Sequence, residues 1–171
     1  MPDFTANDLR QLLQLEPLTI EGGFFRETYR SAGYIAQSAL PAAYSGPRAF
    51  STCIYYLLTP DTYSVMHRLP GEEIFHFYLG DSVEMLQLHP DGGGERIILG
   101  SDLRSGMRVQ HVVPANVWQG SRLQQGGRFA LMGTTVAPGF DYADYEAGDR
   151  DQLCHDFPAF TDLIRRLTPE K

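Results

Sequence analysis

The sequence predicts an all-β domain, a sandwich or barrel of short strands, with a short helix at each end. Three observations carry this. Short segments rich in aromatic and β-branched residues recur along the chain. Glycine- and proline-containing turns separate them, among them Gly22-Gly23, Pro70-Gly71, Gly80-Asp81, Gly126-Gly127 and Pro138-Gly139. No helical pattern alternates with the strands, as a parallel βαβ sheet would require.

The elements follow in order. Thr5 caps a first helix, with Asp8 in the capping-box position and Leu9, Leu12 and Leu13 as its apolar stripe; Pro17 stops it. Strands are predicted over 24–30, 51–58, 74–79, 83–88, 96–99, 109–113 and 128–136. Residues 32–48, rich in Ala, Ser, Gly and Pro, form a long excursion, a lid or an interface arm. The glycines after Asp91 read as a hairpin tip, since no Lys-Ser/Thr and helix follow to make a phosphate loop. Phe160, Leu163, Ile164 and Leu167 stand at helical spacing between Pro158 and Pro169, and Arg165 and Arg166 suit that helix's negative end.

At 171 residues the chain is read as one domain over residues 1–171, large enough to bury its own core. Its balance of 43% hydrophobic and 20% charged residues is that of a globular protein. A net charge of −7 without a basic run argues against nucleic acid and anionic membranes as partners. No signal peptide and no membrane-length apolar run is present in the sequence. Two isolated cysteines, Cys53 and Cys154, favour a reduced, cytoplasmic protein, with Cys53 read as a small core residue.

The most informative stretch is His67-Arg68-Leu69-Pro70-Gly71-Glu72-Glu73, running on to Gly80. It resembles the first cupin motif, His-x-His, a short spacer, Glu, six residues, Gly. Pro114-Ala115-Asn116-Val117-Trp118-Gln119 is similar to the second, with Asn116 for a glycine that needs left-handed backbone. The runs 21–29, 113–120 and 136–141 look like the small single-domain cupin-5 branch, whose members largely lack an assigned reaction. The resemblance covers Leu12 to about Phe157. It implies a cupin double-stranded β-helix, a jelly-roll barrel with one open mouth and short N-terminal and C-terminal helices, paired as a homodimer around a small-molecule ligand.

Many cupins hold a divalent metal through three His and one Glu. Here Leu69 and Gln119 stand at two of the His positions. The remaining set would be His67, Glu73 and Gln119, with His76 as a substitute that alternation puts on the opposite face from Glu73. The donors therefore argue for no metal cofactor, though a β-bulge would bring His76 round.

Without a metal, His67 and Glu73 remain a polar pair in an apolar barrel, as catalytic groups or as a structural pair. An imidazole titrates at about 6.5, so His67 serves as a candidate general base, with Glu73 orienting it or acting as second acid–base group. Phe75 and Phe77 share Glu73's face and are assigned to the cavity with it. Arg26 is the candidate clamp for an anionic group, if its face of the strand is the inner one; otherwise it is a solvated arginine. Trp118 is a candidate wall of the mouth, or plain core, and Gln119 lies beside it. Tyr56 and Tyr78 are the tyrosines best placed to be acids, and Tyr56 is counted with the ligand-binding set. His89, His111 and His155 lack spaced partners.

Three functions follow: a metal-independent epimerase or isomerase acting on a polar, carbohydrate-like molecule, a non-catalytic ligand-binding or storage-like cupin, and a metal-dependent oxygenase or isomerase.

Overall fold

The computed structural model describes residues 4–170. The chain opens with α1 (Ala6–Leu12), β1 (Glu16–Pro17), β2 (Phe24–Arg30), β3 (Tyr34–Ile35), β4 (Arg48–Ala49) and β5 (Thr52–Leu58). It continues through β6 (Tyr63–Arg68), β7 (Glu72–Gly80), β8 (Val83–Leu88), β9 (Gly94–Leu99), β10 (Gln110–Val113) and β11 (Trp118–Leu123). It ends with β12 (Ala130–Ala137), β13 (Glu146–Ala147), α2 (Arg150–Asp156) and α3 (Thr161–Arg166).

Two antiparallel sheets pack face to face. One has the order β1-β2-β5-β12-β7-β10 and the other β13-β6-β11-β8-β9, with β3 and β4 paired apart from both. This is the jelly-roll sandwich that the turn-punctuated strands predict. Between the sheets Phe75, Phe77, Met85 and Met132 interlock with Leu58, Val83 and Leu99. Two further apolar layers lie outside. Leu9 and Leu15 near the N-terminus cover Leu57, Phe129 and Leu131. Leu153, Leu163 and Ile164 of the C-terminal helices cover Met66, Leu86 and Leu88. Strands clothed on both faces lose their alternation, which is why 56–58 reads as an unbroken apolar run.

The first helix begins as its sequence dictates. The Thr5 amide donates to the Asp8 carboxylate at 2.9 Å, and the Asp8 amide donates back to the Thr5 hydroxyl at 3.2 Å. The excursion over 32–48 contains a short 3-10 turn at Gln37–Ala39 and the β3–β4 pair. Cys53 is half-buried on the outer face, 3.3 Å from the Thr135 hydroxyl, rather than in the core. The strands β6 and β11, the two-residue strands β1, β3, β4 and β13, and the helix α2 are additions to the pattern read from sequence.

The tail returns to the sandwich beside β6. The Met66 amide donates to the Leu167 carbonyl at 2.8 Å, and the Gly148 amide donates to the Met66 carbonyl at 2.7 Å. Arg150 donates to the Thr168 hydroxyl at 3.0 Å and so fastens the last turn.

Candidate functional site

At one end of the sandwich the sheets separate around a hollow with about 70 Å³ of free volume. His67, Glu73 and Glu21 lie at its buried end. Leu18, Ile54, Leu69 and Val136 form its walls together with Thr52 and Thr134, and Phe25, Glu27, Arg30, Phe140 and Tyr142 surround its more exposed mouth.

Sheet pairing sets the inner cluster. Gln119 of β11 is directly opposite His67 of β6, and alternation along β7 turns Glu73 inward. Asn116, at φ +62, makes the left-handed turn that leads into β11. The His67 Nδ1 lies 2.7 Å from the Val65 carbonyl. A carbonyl only accepts, so Nδ1 carries the proton and Nε2 of the neutral ring offers a lone pair to the site. The Gln119 amide nitrogen lies 3.2 Å from that Nε2 and donates to the Glu73 carboxyl at 2.5 Å. The amide's two N–H groups are thereby occupied, while its carbonyl oxygen is buried without a hydrogen-bond partner.

Glu21 is the carboxyl that sequence reasoning missed. Its Oε2 lies 3.9 Å from the His67 Nε2, and Glu73 lies 4.0 Å from the same nitrogen. The Ser64 hydroxyl donates to Glu21 at 2.6 Å. Gly22, at φ +98, makes this approach possible, because a Cβ there would collide with the Tyr63 carbonyl. The Glu21-Gly22-Gly23 run was the available signal, but a carboxylate in a turn carries no strand periodicity.

Burial pushes the Glu73 carboxyl up to about 7, and the charge of Glu21 pushes the same way. His67 and hydrogen bonds from Thr134 and Gln119 oppose them. Glu73 thus holds its proton in a useful fraction of molecules at neutral pH. Tyr145 stacks on the His67 ring, with centroids 5.0 Å apart. Its hydroxyl donates to the Ile20 carbonyl at 3.0 Å, and burial raises its pKa, so it positions the imidazole.

Several expected site residues stand elsewhere. Arg26 faces outward, with its guanidinium on Gln14 at 3.4 Å and near the Tyr55 ring. Phe25 and Glu27 occupy the inner face, so plain alternation leaves Arg26 on the outer one; the register shifts only after them, between Glu27 and Tyr29. The bulge at Thr28 restarts the alternation, and Arg30 reaches the hollow instead. Arg30 donates to Glu27 at 2.7 and 3.0 Å and to the Phe140 carbonyl at 3.2 Å. Phe75 and Phe77 do point inward, but they fill the core beyond the hollow. Tyr56 is buried beside them, its hydroxyl donating to the Gly22 carbonyl at 3.0 Å. It supports the Glu21 turn rather than lining the hollow. Trp118 packs against the C-terminal layer beneath Arg68, because its neighbour Gln119 takes the inward direction. Tyr78 is half-exposed on the outer face, stacked on His76.

His76 is bound to the Thr135 hydroxyl and Gln110 on that outer face. The register shift on β7 falls between Leu131 and Met132 of its partner, beyond His76, and does not bring it round. The three-His-one-Glu set is therefore not assembled. Leu69 lines the hollow where a second imidazole would stand, and Gln119 spends its amide protons on Glu73 and His67. Among the described residues no group of three or more His, Cys, Asp or Glu side chains is arranged to hold a metal ion.

Residues 7–148 match the model of the cupin superfamily group Cupin_5 (DUF985). The chain belongs to the cupin-5 family. Within and around it, the uncharacterized protein YML079W of Saccharomyces cerevisiae is 34% identical over 145 residues, 79% of this chain and 72% of that protein. The crystal structure of protein SO0799 from Shewanella oneidensis superposes with a TM-score of 0.87 at 32% identity, covering 99% of this chain and 100% of that one. A hypothetical protein from Leishmania major gives 0.86 at 28%, over 98% and 100%. Oxalate decarboxylase from Bacillus subtilis shares the fold alone, with a TM-score of 0.52 at 13% identity, over 88% of this cupin-5 chain and 36% of the decarboxylase.

Proposed function

We propose that the hollow binds a small organic molecule and that His67 and Glu73 move protons on it without a metal, as in an isomerase or epimerase acting beside a carbonyl. The observation that carries this reading is the unlike pair at the buried end. One group there is an imidazole whose unprotonated Nε2 is held by the Gln119 amide at 3.2 Å and must be released to act as base. The other is a carboxyl that keeps its proton in a fraction of molecules near neutrality. In the forward step a carbon-bound proton beside the carbonyl passes to His67 Nε2, while the Glu73 proton passes to the carbonyl oxygen, giving an enol. Return of the His67 proton to the neighbouring carbon, with the Glu73 carboxylate taking the proton of the other enediol oxygen, restores both residues. Inversion at the same carbon requires the enol to present its other face to His67 first. Glu73, rather than a tyrosine, is the acid, since Tyr145 and Tyr56 commit their hydroxyls to backbone carbonyls. The mainly hydrocarbon walls favour a molecule less uniformly polar than a carbohydrate.

The test is solvent deuterium incorporation into small α-hydroxy and α-amino ketones, comparing the natural protein with His67→Ala and Glu73→Gln. Incorporation by the natural protein alone supports proton transfer. Absence of exchange with a ligand demonstrably bound overturns it. That outcome would favour a non-catalytic binding cupin, a reading supported by the Gln119 amide already occupying the Nε2 lone pair.

We further propose that the chain works as a homodimer. Tyr29, Tyr34, Phe50, Tyr78, Val109 and Val112 are large apolar side chains left exposed. Light scattering that returns twice the mass of one chain supports this, and a single-chain mass overturns it. We also propose a cytoplasmic location, on the two free cysteines; among the described residues no helix is long and apolar enough to cross a membrane.

A further inference from the structure

Resting on the reading of the hollow as a ligand site, we infer that its ligand is a small organic cation, a compact hydrocarbon body ending in a protonated amine. The argument begins with hydrogen-bond supply at the buried end. Ser64 gives its hydroxyl proton to Glu21, His67 gives its Nδ1 proton to Val65, Thr134 gives its hydroxyl proton to Glu73, and Gln119 directs its amide protons at Glu73 and His67. Acceptors remain in excess. They are the second oxygen of Glu21 and, in the molecules where it is ionised, the carboxylate of Glu73, both lining the hollow. A buried acceptor left unmatched is costly, so the molecule that completes this end must bring donors. An ammonium group brings three N–H donors and accepts nothing. A carboxylate or phosphate brings acceptors to acceptors.

Charge points the same way. Three carboxyl groups, Glu21, Glu27 and Glu73, line the hollow against one guanidinium. That guanidinium, Arg30, already spends three N–H groups on Glu27 and the Phe140 carbonyl. It neutralises the mouth rather than presenting an anion trap. The aromatic rings of Phe25, Phe140 and Tyr142 at the entrance also suit a cation, whose charge the ring faces attract. Between mouth and buried end the walls are mainly hydrocarbon, and the hydroxyls of Thr52 and Thr134 are already bonded to the Phe140 amide and Glu73, which suits an alkyl body more than a chain of hydroxyls.

Chelator-treated protein titrated at neutral pH with isobutylamine, isobutanol and isobutyrate, matched in shape and differing in charge, tests this. Binding is read from NMR shifts of hollow-lining methyl groups. The expected result is a preference of at least about tenfold for the amine over both others. Glu21→Gln should erase it. Glu27→Gln gives an independent check at the mouth, where it unpairs Arg30 and should shift the preference towards isobutyrate. Equal or tighter binding of isobutanol or isobutyrate to the natural protein overturns the cation inference and leaves the hollow as a ligand site. Failure of all three to bind overturns both, whereas proton transfer stands or falls separately on the deuterium experiment.

Discussion

Replacing Glu73 by Gln should flatten the dependence of folding stability on pH. Burial first, and the Glu21 charge second, push this carboxyl from 4.5 to about 7 in the folded chain. An acid with a higher pKa folded than unfolded binds more protons when folded, throughout the interval between the two values. Its contribution to stability is therefore complete below pH 4.5 and is lost as pH rises through about 7. At about 1.36 kcal/mol per pH unit, that interval corresponds to about 3 kcal/mol. For a domain of this length, 1 kcal/mol moves the melting temperature by about 2–4 °C, so the loss is on the order of 10 °C. Gln at position 73 cannot ionise and still presents an oxygen to the Gln119 amide. Urea unfolding at a series of pH values, followed through the single tryptophan, Trp118, measures the difference directly. The natural protein should lose about 3 kcal/mol more than Glu73→Gln between acid and mildly alkaline pH. Parallel curves for the two proteins would refute the reasoning. Glu21→Gln should move the transition to lower pH by removing a negative neighbour, and His67→Ala should move it to higher pH.

Three further outcomes are expected. Asp144 holds Arg48 through two hydrogen bonds of 2.7 and 2.6 Å in a buried pair, so Asp144→Ala should cost about 3–5 kcal/mol in urea unfolding by stranding the guanidinium. Arg26→Ala should leave amine titrations unchanged, whereas Arg30→Ala should strengthen isobutylamine binding by leaving Glu27 without its countercharge. Leu88→Ala, beneath the C-terminal helices, should destabilise the chain by about 2–5 kcal/mol in the same unfolding assay.

What was legible in the sequence follows from where each side chain spends its polarity. Strands β2 and β8 are rich in residues that strands favour or have clear turns at both ends, and 24–30 and 83–88 were read with their observed limits. The strands β6 and β11 escaped because they carry the site. Ser64 and His67 on one, and Gln119 and Ser121 on the other, turn polar groups into the sandwich and spoil the apolar-in alternation that reveals a strand. His67, Glu73 and Gln119 were found through their motif positions. Glu21 and Arg30 were not, since one depends on a glycine turn and the other on a single inserted residue at Thr28. A change of one residue in register exchanges the two faces, and sequence periodicity does not reveal where that happens.

The return of the tail to Met66 gives the C-terminus a stake in the proposed site, far from it along the chain. The imidazole sits on the next residue, so whatever loosens Leu167 loosens the shelf beneath it. Clipping the final segment, or pulling on it with a bulky fusion, should blunt the proposed amine binding well before the sandwich itself melts.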